Sequence, residues 1–236
     1  MAQTRKQVQI NYFSDVLCVW AYTAQIRLDQ LKAQFGDSVS VTYHYLTIFG
    51  HTQSRVVEGW KERGGVEAYC EHVRQVGETF DHIHIHPDIW KTNRPASSLS
   101  CHLFLKAVEL LEQKGLIPTT PQAHCDGRTL YEEAAWQCRL AFFRDLKDIA
   151  RYECQMEIAA TLGLPCAEID TLLKNGEACA ALSADLESKE KYAVKGSPTL
   201  ILNEGRQILY GNIGYKIIEA NIHELLERPA DQASWC

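Results

Sequence analysis

No Cys-x-x-Cys occurs anywhere in these 236 residues, although nine cysteines do. They fall irregularly, at positions 18, 70, 101, 125, 138, 154, 166, 179 and 236. That spacing removes the common zinc-ribbon and dithiol patterns. Long apolar runs are missing too: nothing approaches the roughly 18–20 apolar residues of a membrane span. The leader Met1-Ala2-Gln3-Thr4-Arg5-Lys6-Gln7 has neither an apolar segment nor a cleavage site, so no secretory signal is expected. Basic runs and interleaved arginine–aromatic stripes are absent. The 24 Lys and Arg are outnumbered by 30 Asp and Glu, for a formal charge of −6 and a pI near 5.8. This balance argues against nucleic acid or an anionic membrane as the main partner. From these absences a cytoplasmic protein is expected, with most of its cysteines packed thiols.

What is present suffices for a full core: 46% hydrophobic and 23% charged residues. The chain opens β-α-β, with a strand over Val8–Phe13, a helix over Trp20–Phe35 and a strand over Ser38–Tyr45. Ile26, Leu28, Leu31 and Phe35 supply the helix with an apolar side. A crossover of this kind is right-handed and joins parallel strands. From His51 to Tyr192 the pattern is helical. Segments are expected over Val66–Phe80, from Ser97 or Ser98 to about Lys114, over Tyr131–Leu146, after an Asp148 cap, and over Glu168–Lys174 and Ala178–Lys191. The chain then returns to two short strands, Thr199–Asn203 and Gln207–Tyr210, around a Gly205-containing turn. A final helix spans Tyr215–Glu227, and the Arg228–Cys236 tail is expected to be mobile.

The rest of the chain is arranged around Asp15-Val16-Leu17-Cys18-Val19-Trp20-Ala21-Tyr22. Strand runs into helix here, so Cys18 sits at the turn, at or just before the first helical residue. Unpaired N–H groups and the positive end of the helix dipole favour a thiolate at such a place. The alternative is a buried cysteine acting as a small hydrophobe. Asp15 is either a carboxylate close enough to raise the thiol pKa or a turn residue aimed elsewhere. Trp20 and Tyr22 are either core aromatics or an amphipathic wall beside the sulfur. Asn93 and Arg94 precede a helix start that either binds an anion or is simply capped. His82, His84 and His86 alternate and would share one face of an extended chain. No cysteine or carboxylate lies at ligand spacing, so a solvated loop is expected rather than a metal site.

Four motifs carry a resemblance. They are Asp15-Val16-Leu17-Cys18-Val19-Trp20, Asn93-Arg94-Pro95-Ala96-Ser97-Ser98, Ala141-Phe142-Phe143-Arg144 and Ser197-Pro198-Thr199. In this order they resemble the DsbA-like branch of the thioredoxin superfamily. The relatives concerned are those of FrnE, 2-hydroxychromene-2-carboxylate isomerase and the kappa glutathione transferases. The likeness covers nearly the whole chain, and the order of the short motifs supplies most of its specificity. It implies an α/β fold: a thioredoxin-like βαβ…ββα domain, residues 1–50 and 193–236, around a large all-helical insertion, residues 51–192. It also implies a cis Ser197–Pro198 bond, Cys18 as the catalytic residue, and Trp20, Tyr22, Asn93, Ser197, Pro198 and Thr199 as substrate-binding residues.

One departure matters. Ala21 stands where the redox-active relatives carry the second cysteine of Cys-x-x-Cys, and the isomerase and transferase relatives usually have serine where Cys18 stands. No second thiol in this motif can release a mixed disulfide. The resemblance therefore implies a thiol-disulfide oxidoreductase with a single active thiol, or a glutathione-dependent isomerase or transferase. A peptide-binding module on the same scaffold is the non-catalytic alternative. Glutathione is the implied co-substrate, with no metal. The implied partner is glutathione or another thiol- or disulfide-bearing protein or small molecule, and a homodimer is left open.

Overall fold

The computed structural model describes residues 7–227. The expectations for the Met1–Lys6 leader and for the Arg228–Cys236 tail, Cys236 included, lie outside them. Strand β1 (Val8–Ser14) leads through a turn into α1 (Val19–Phe35), and the chain returns in β2 (Val39–Tyr45). Two short helical turns, Gln53–Glu58 and Lys61–Arg63, precede α2 (Gly65–Glu78). Five more helices follow: α3 (Leu99–Gln113), α4 (Leu130–Phe143), α5 (Tyr152–Thr161), α6 (Cys166–Lys174) and α7 (Glu177–Lys191). Strands β3 (Thr199–Leu202) and β4 (Gln207–Tyr210) and helix α8 (Tyr215–Glu227) close the fold.

The sheet has the order β2-β1-β3-β4. β1 and β2 are parallel, as a βαβ crossover requires, whereas β3 is antiparallel to both β1 and β4. Because strand side chains alternate, β1 serves two cores. Val8, Ile10 and Tyr12 pack with Leu28 and Leu31 of α1 and with Ile218, Ile222 and Leu225 of α8. Phe13 faces the other way, toward Leu46, Val194 and Ile201. A third and larger core runs from Val16–Tyr22 and Tyr45 into α2–α7.

Helix α1 departs from the expected one-sided pattern. Leu28 and Leu31 are buried, but Ile26 is 47% exposed, while polar Thr23 and Gln25 are buried. The cause is Arg139 of α4, also buried, which donates to Gln25 Oε1 (2.9 Å) and Ser14 Oγ (3.2 Å). The helix is thus covered on a polar side as well, where hydrogen bonding offsets the burial. Asp148 does not cap α5: Arg151 is the N-cap, and Asp148 accepts from the Ala150 N–H in the turn before it.

Candidate active site

Cys18 is the N-cap of α1; its carbonyl accepts from the Ala21 N–H (3.1 Å) and the Tyr22 N–H (3.0 Å). Its thiol donates to the Ser197 carbonyl at 3.3 Å. The Ser197 hydroxyl accepts from the Asp15 N–H at 3.0 Å, so the late loop is fastened to the turn bearing the sulfur. The Ser197–Pro198 peptide is cis. Gly196 leaves room for Tyr210 of the edge strand: a Cβ there would lie 2.7 Å from the tyrosine Oη.

Beneath the sulfur lies a buried polar brace. Asp15 is fully buried and accepts from the Leu17 N–H (3.0 Å), the Phe49 N–H (2.8 Å) and the Ser98 hydroxyl (2.9 Å). Its carboxylate therefore joins the active turn, the segment after β2 and the start of α3. Burial carries its pKa from 3.8 up to about 6, against the pull of those hydrogen bonds. His102 is also fully buried; its Nε2 accepts from the Val16 N–H at 3.1 Å, so the proton of the neutral ring sits on Nδ1. Burial pushes its pKa down to about 3, and its ring stacks on Tyr45.

Of the two readings of Cys18, a thiolate-favouring helix start and a buried cysteine, burial weighs on the second side. Cys18 is only 6% exposed, and burial raises its pKa above the ordinary value. Hydrogen bonds from the Ser197 side chain and from the Ala21 and Trp20 backbones act the other way, and the Asp15 charge adds to the rise. The helix end does what was expected of it, but desolvation is the larger effect.

The sulfur opens onto a cleft of about 700 Å³. Cys18, Val19 and Trp20 line it together with Thr47–Phe49, Arg55, Trp60, Arg63, Tyr69, His72, Lys195–Ser197 and Tyr210. Of the expected substrate-binding residues, Trp20 and Ser197 are brought to this cleft and four are not. Tyr22 lies about 200° around the helix from Trp20. It is buried, stacked on Phe143 with ring centroids 4.8 Å apart, and donates to the His84 carbonyl. Thr199 is buried and its hydroxyl donates to the Gly196 carbonyl at 2.7 Å, bracing the loop from behind. The Pro198 ring faces Tyr12, Leu28 and Leu200 rather than the cleft. Asn93 donates to the Leu146 carbonyl at 2.7 Å and holds two loops of the helical part together. Ser98 gives its hydroxyl to Asp15 instead of capping α3. His82 Nε2 meets the Thr23 carbonyl of α1 at 3.0 Å, and His86 Nδ1 accepts from the nearby Asp88 N–H. Among the described residues no group of three or more His, Cys, Asp or Glu stands close enough to hold a metal.

Sequence reading missed Arg55, Trp60, Arg63, Tyr69, His72, Lys195 and Tyr210. The sequence signal is sparse: Arg55 and Arg63 flank Trp60 after β2, too widely spaced to read as an arginine–aromatic stripe. Their placement also depends on irregular backbone. The Gly59 N–H reaches back five residues to the Ser54 carbonyl at 2.9 Å, and a Cβ on Gly59 would lie 2.8 Å from the Arg55 carbonyl. Single wide turns of this kind gather at functional sites.

A βαβ…ββα sheet interrupted by helices, with a thiol at the start of α1 facing a cis-proline loop, defines the DsbA-like class of the thioredoxin fold. Comparisons with solved structures point the same way. A candidate protein disulfide isomerase from Nitrosomonas europaea is similar with a TM-score of 0.74 and 13% identity, over 94% of this chain and 98% of its own. The cytosolic disulfide reductase DsbM from Pseudomonas aeruginosa, solved with GSH, gives a TM-score of 0.63 and 18% identity over 91% and 99% of the two chains. A 2-hydroxychromene-2-carboxylate isomerase gives 0.62 and 14% over 96% and 100%. At these identities the likeness establishes the fold. No family model matches the chain, and no curated protein matches its sequence.

Proposed function

We propose that the protein is a thiol-disulfide oxidoreductase that works through Cys18 alone, with glutathione as co-substrate. The observation that carries the reading is the Cys18 thiol, 3.3 Å from the Ser197 carbonyl at the floor of an open cleft. After loss of its proton to solvent, the Cys18 sulfur attacks one sulfur of a disulfide. A new bond joins Cys18 to that sulfur as the old S–S bond breaks. The other half leaves as a thiolate and takes up a proton. The Cys18 sulfur is formally oxidised by one electron and the leaving sulfur reduced by one, so the step balances. A second, external thiolate then attacks the mixed disulfide and returns Cys18 to the thiol.

Ala21 is fully buried one helical turn from Cys18, and its N–H is bonded to the Cys18 carbonyl. The wild type is therefore expected to accumulate a one-to-one glutathione adduct after mixing with glutathione disulfide, and to turn over faster as glutathione is added. Ala21→Cys is expected to shed the adduct unaided by closing an internal disulfide, at an overpacking cost of about 1–3 kcal/mol. Intact-mass spectra of both proteins decide this. A wild type that releases glutathione without help would place the resolving thiol elsewhere and end the single-thiol reading.

One observation favours a second reading, a glutathione-dependent isomerase. Cys18 is 6% exposed and burial raises its pKa, which suits its S–H to hydrogen-bond a bound glutathione thiolate rather than attack a disulfide. Saturable glutathione binding with no adduct and no exchange would select it.

A further inference from the structure

The chain carries a formal charge of −6, yet Arg55, Arg63 and Lys195 all line the cleft and no carboxylate does. Among the described residues none of the three makes an ion pair. Their placement is supported: the Arg55 guanidinium lies 6.0 Å from the Phe49 ring centre and that of Arg63 lies 5.7 Å from Trp60. Aromatic faces steady the stems while the charged heads stay wet. The cations come from two separate segments, the irregular stretch after β2 and the loop before β3. They are not among the main influences on the sulfur, which are burial, Ser197, Ala21, Asp15 and Trp20. Unpaired cations lining a cleft of this size are available to a ligand.

We infer that the cleft selects thiols and disulfides bearing a carboxylate on each side of the sulfur over neutral or cationic ones. Arg55 and Arg63 receive one carboxylate and Lys195 the other. Arginine's planar fork suits two-point capture of a carboxylate, and two anchors at a distance fix the sulfur between them. The inference rests on the proposed exchange at Cys18 only for its kinetic test; the binding half stands without it.

The experiment measures adduct formation at Cys18 with three disulfides by intact mass: glutathione disulfide, neutral hydroxyethyl disulfide and cationic cystamine. The ratio of the glutathione disulfide rate to the hydroxyethyl disulfide rate is expected to fall about tenfold in Arg55→Gln, Arg63→Gln or Lys195→Gln, as loss of a charged hydrogen bond entails. Arg63→Lys should recover part of it. Cystamine should be slowest in the wild type. In parallel, S-methylglutathione, which cannot exchange, is titrated calorimetrically into Cys18→Ser. Saturable binding that weakens with salt and in the same three variants is expected. A ratio unchanged in all three variants, or cystamine reacting fastest, overturns the inference and leaves exchange at Cys18 intact. If no disulfide reacts but S-methylglutathione binds through the three cations, the inference holds and the exchange reading falls. If nothing reacts and nothing binds, both are wrong.

Discussion

Asp15 links stability, thiol chemistry and pH in one side chain. Its three hydrogen bonds hold the turn at Leu17, the segment at Phe49 and the start of α3 at Ser98. Because its pKa rises from 3.8 to about 6 on folding, the folded state binds the proton more tightly than the unfolded one. The stability this confers is complete below about pH 4 and is lost as pH rises through about 6. At about 1.4 kcal/mol per tenfold change in proton affinity, the loss is about 3 kcal/mol. Asp15→Asn lacks this titration. Its stability relative to wild type should therefore increase by about that amount between pH 4 and pH 7, whatever constant offset its altered hydrogen bonds impose. Urea denaturation at several pH values measures this, and a constant difference would refute it. The same variant removes a negative charge that raises the Cys18 pKa. Alkylation of Cys18 should then begin at lower pH than in wild type, where it is expected to rise only above the ordinary thiol range.

At the scale of elements, α7 shows how the helical part is fastened to the sheet. Asp185 of α7 is 3% exposed and accepts from the Tyr45 N–H of β2 (2.9 Å) and from Lys106 Nζ of α3 (3.1 Å). It also meets His44 Nδ1 at 2.9 Å, while His44 Nε2 faces Asn11 Oδ1 of β1 at 2.9 Å. Lys106, likewise buried, has Glu109 as its second partner. One carboxylate of α7 thus holds β2 and α3, and through His44 reaches β1. Asp185→Ala would leave a buried ammonium and a buried N–H short of a partner, at a cost of about 3–5 kcal/mol. Chemical denaturation should register that loss. A change below 1 kcal/mol, ~ the worth of an exposed ion pair, would mean the network contributes little. Asp185→Asn keeps the acceptor for Tyr45 and should cost less.

At the scale of the molecule, the sheet and the inserted helices are not separated by a polar seam. The largest apolar core begins at Val16, Leu17 and Cys18 and continues through Trp90, Phe104, Phe142 and Phe143 into α5–α7. Unfolding either part would expose apolar surface on the other, at about 25 cal/mol per Å². A single cooperative transition is expected, even though chains of this length often unfold in steps. Far-ultraviolet dichroism, dominated by the helices, and tryptophan fluorescence, with Trp90 at the centre of the core, should give coincident urea curves. Two separated midpoints would show that the insertion is a unit of its own.

The sequence by itself determined the elements, their order and the turn that bears Cys18, because those follow from short-range hydrophobic period, caps and breakers. The resemblance carried by the order of its motifs also implied Ser197-Pro198 as the loop opposite the sulfur. What the sequence could not determine was which side of each element meets which neighbour. Trp20 and Tyr22 are two residues apart and alike in chemistry, yet one lines the cleft and the other is core, because α1 turns them about 200° apart. The protonation of Cys18 was likewise a tertiary matter. A helix start favours the thiolate wherever it occurs, but the desolvation that outweighs it comes from residues packed around the sulfur from distant parts of the chain. The same holds for Arg55 and Arg63 beside Lys195: more than a hundred residues separate the lysine from the two arginines, and only tertiary packing brings all three to one cleft.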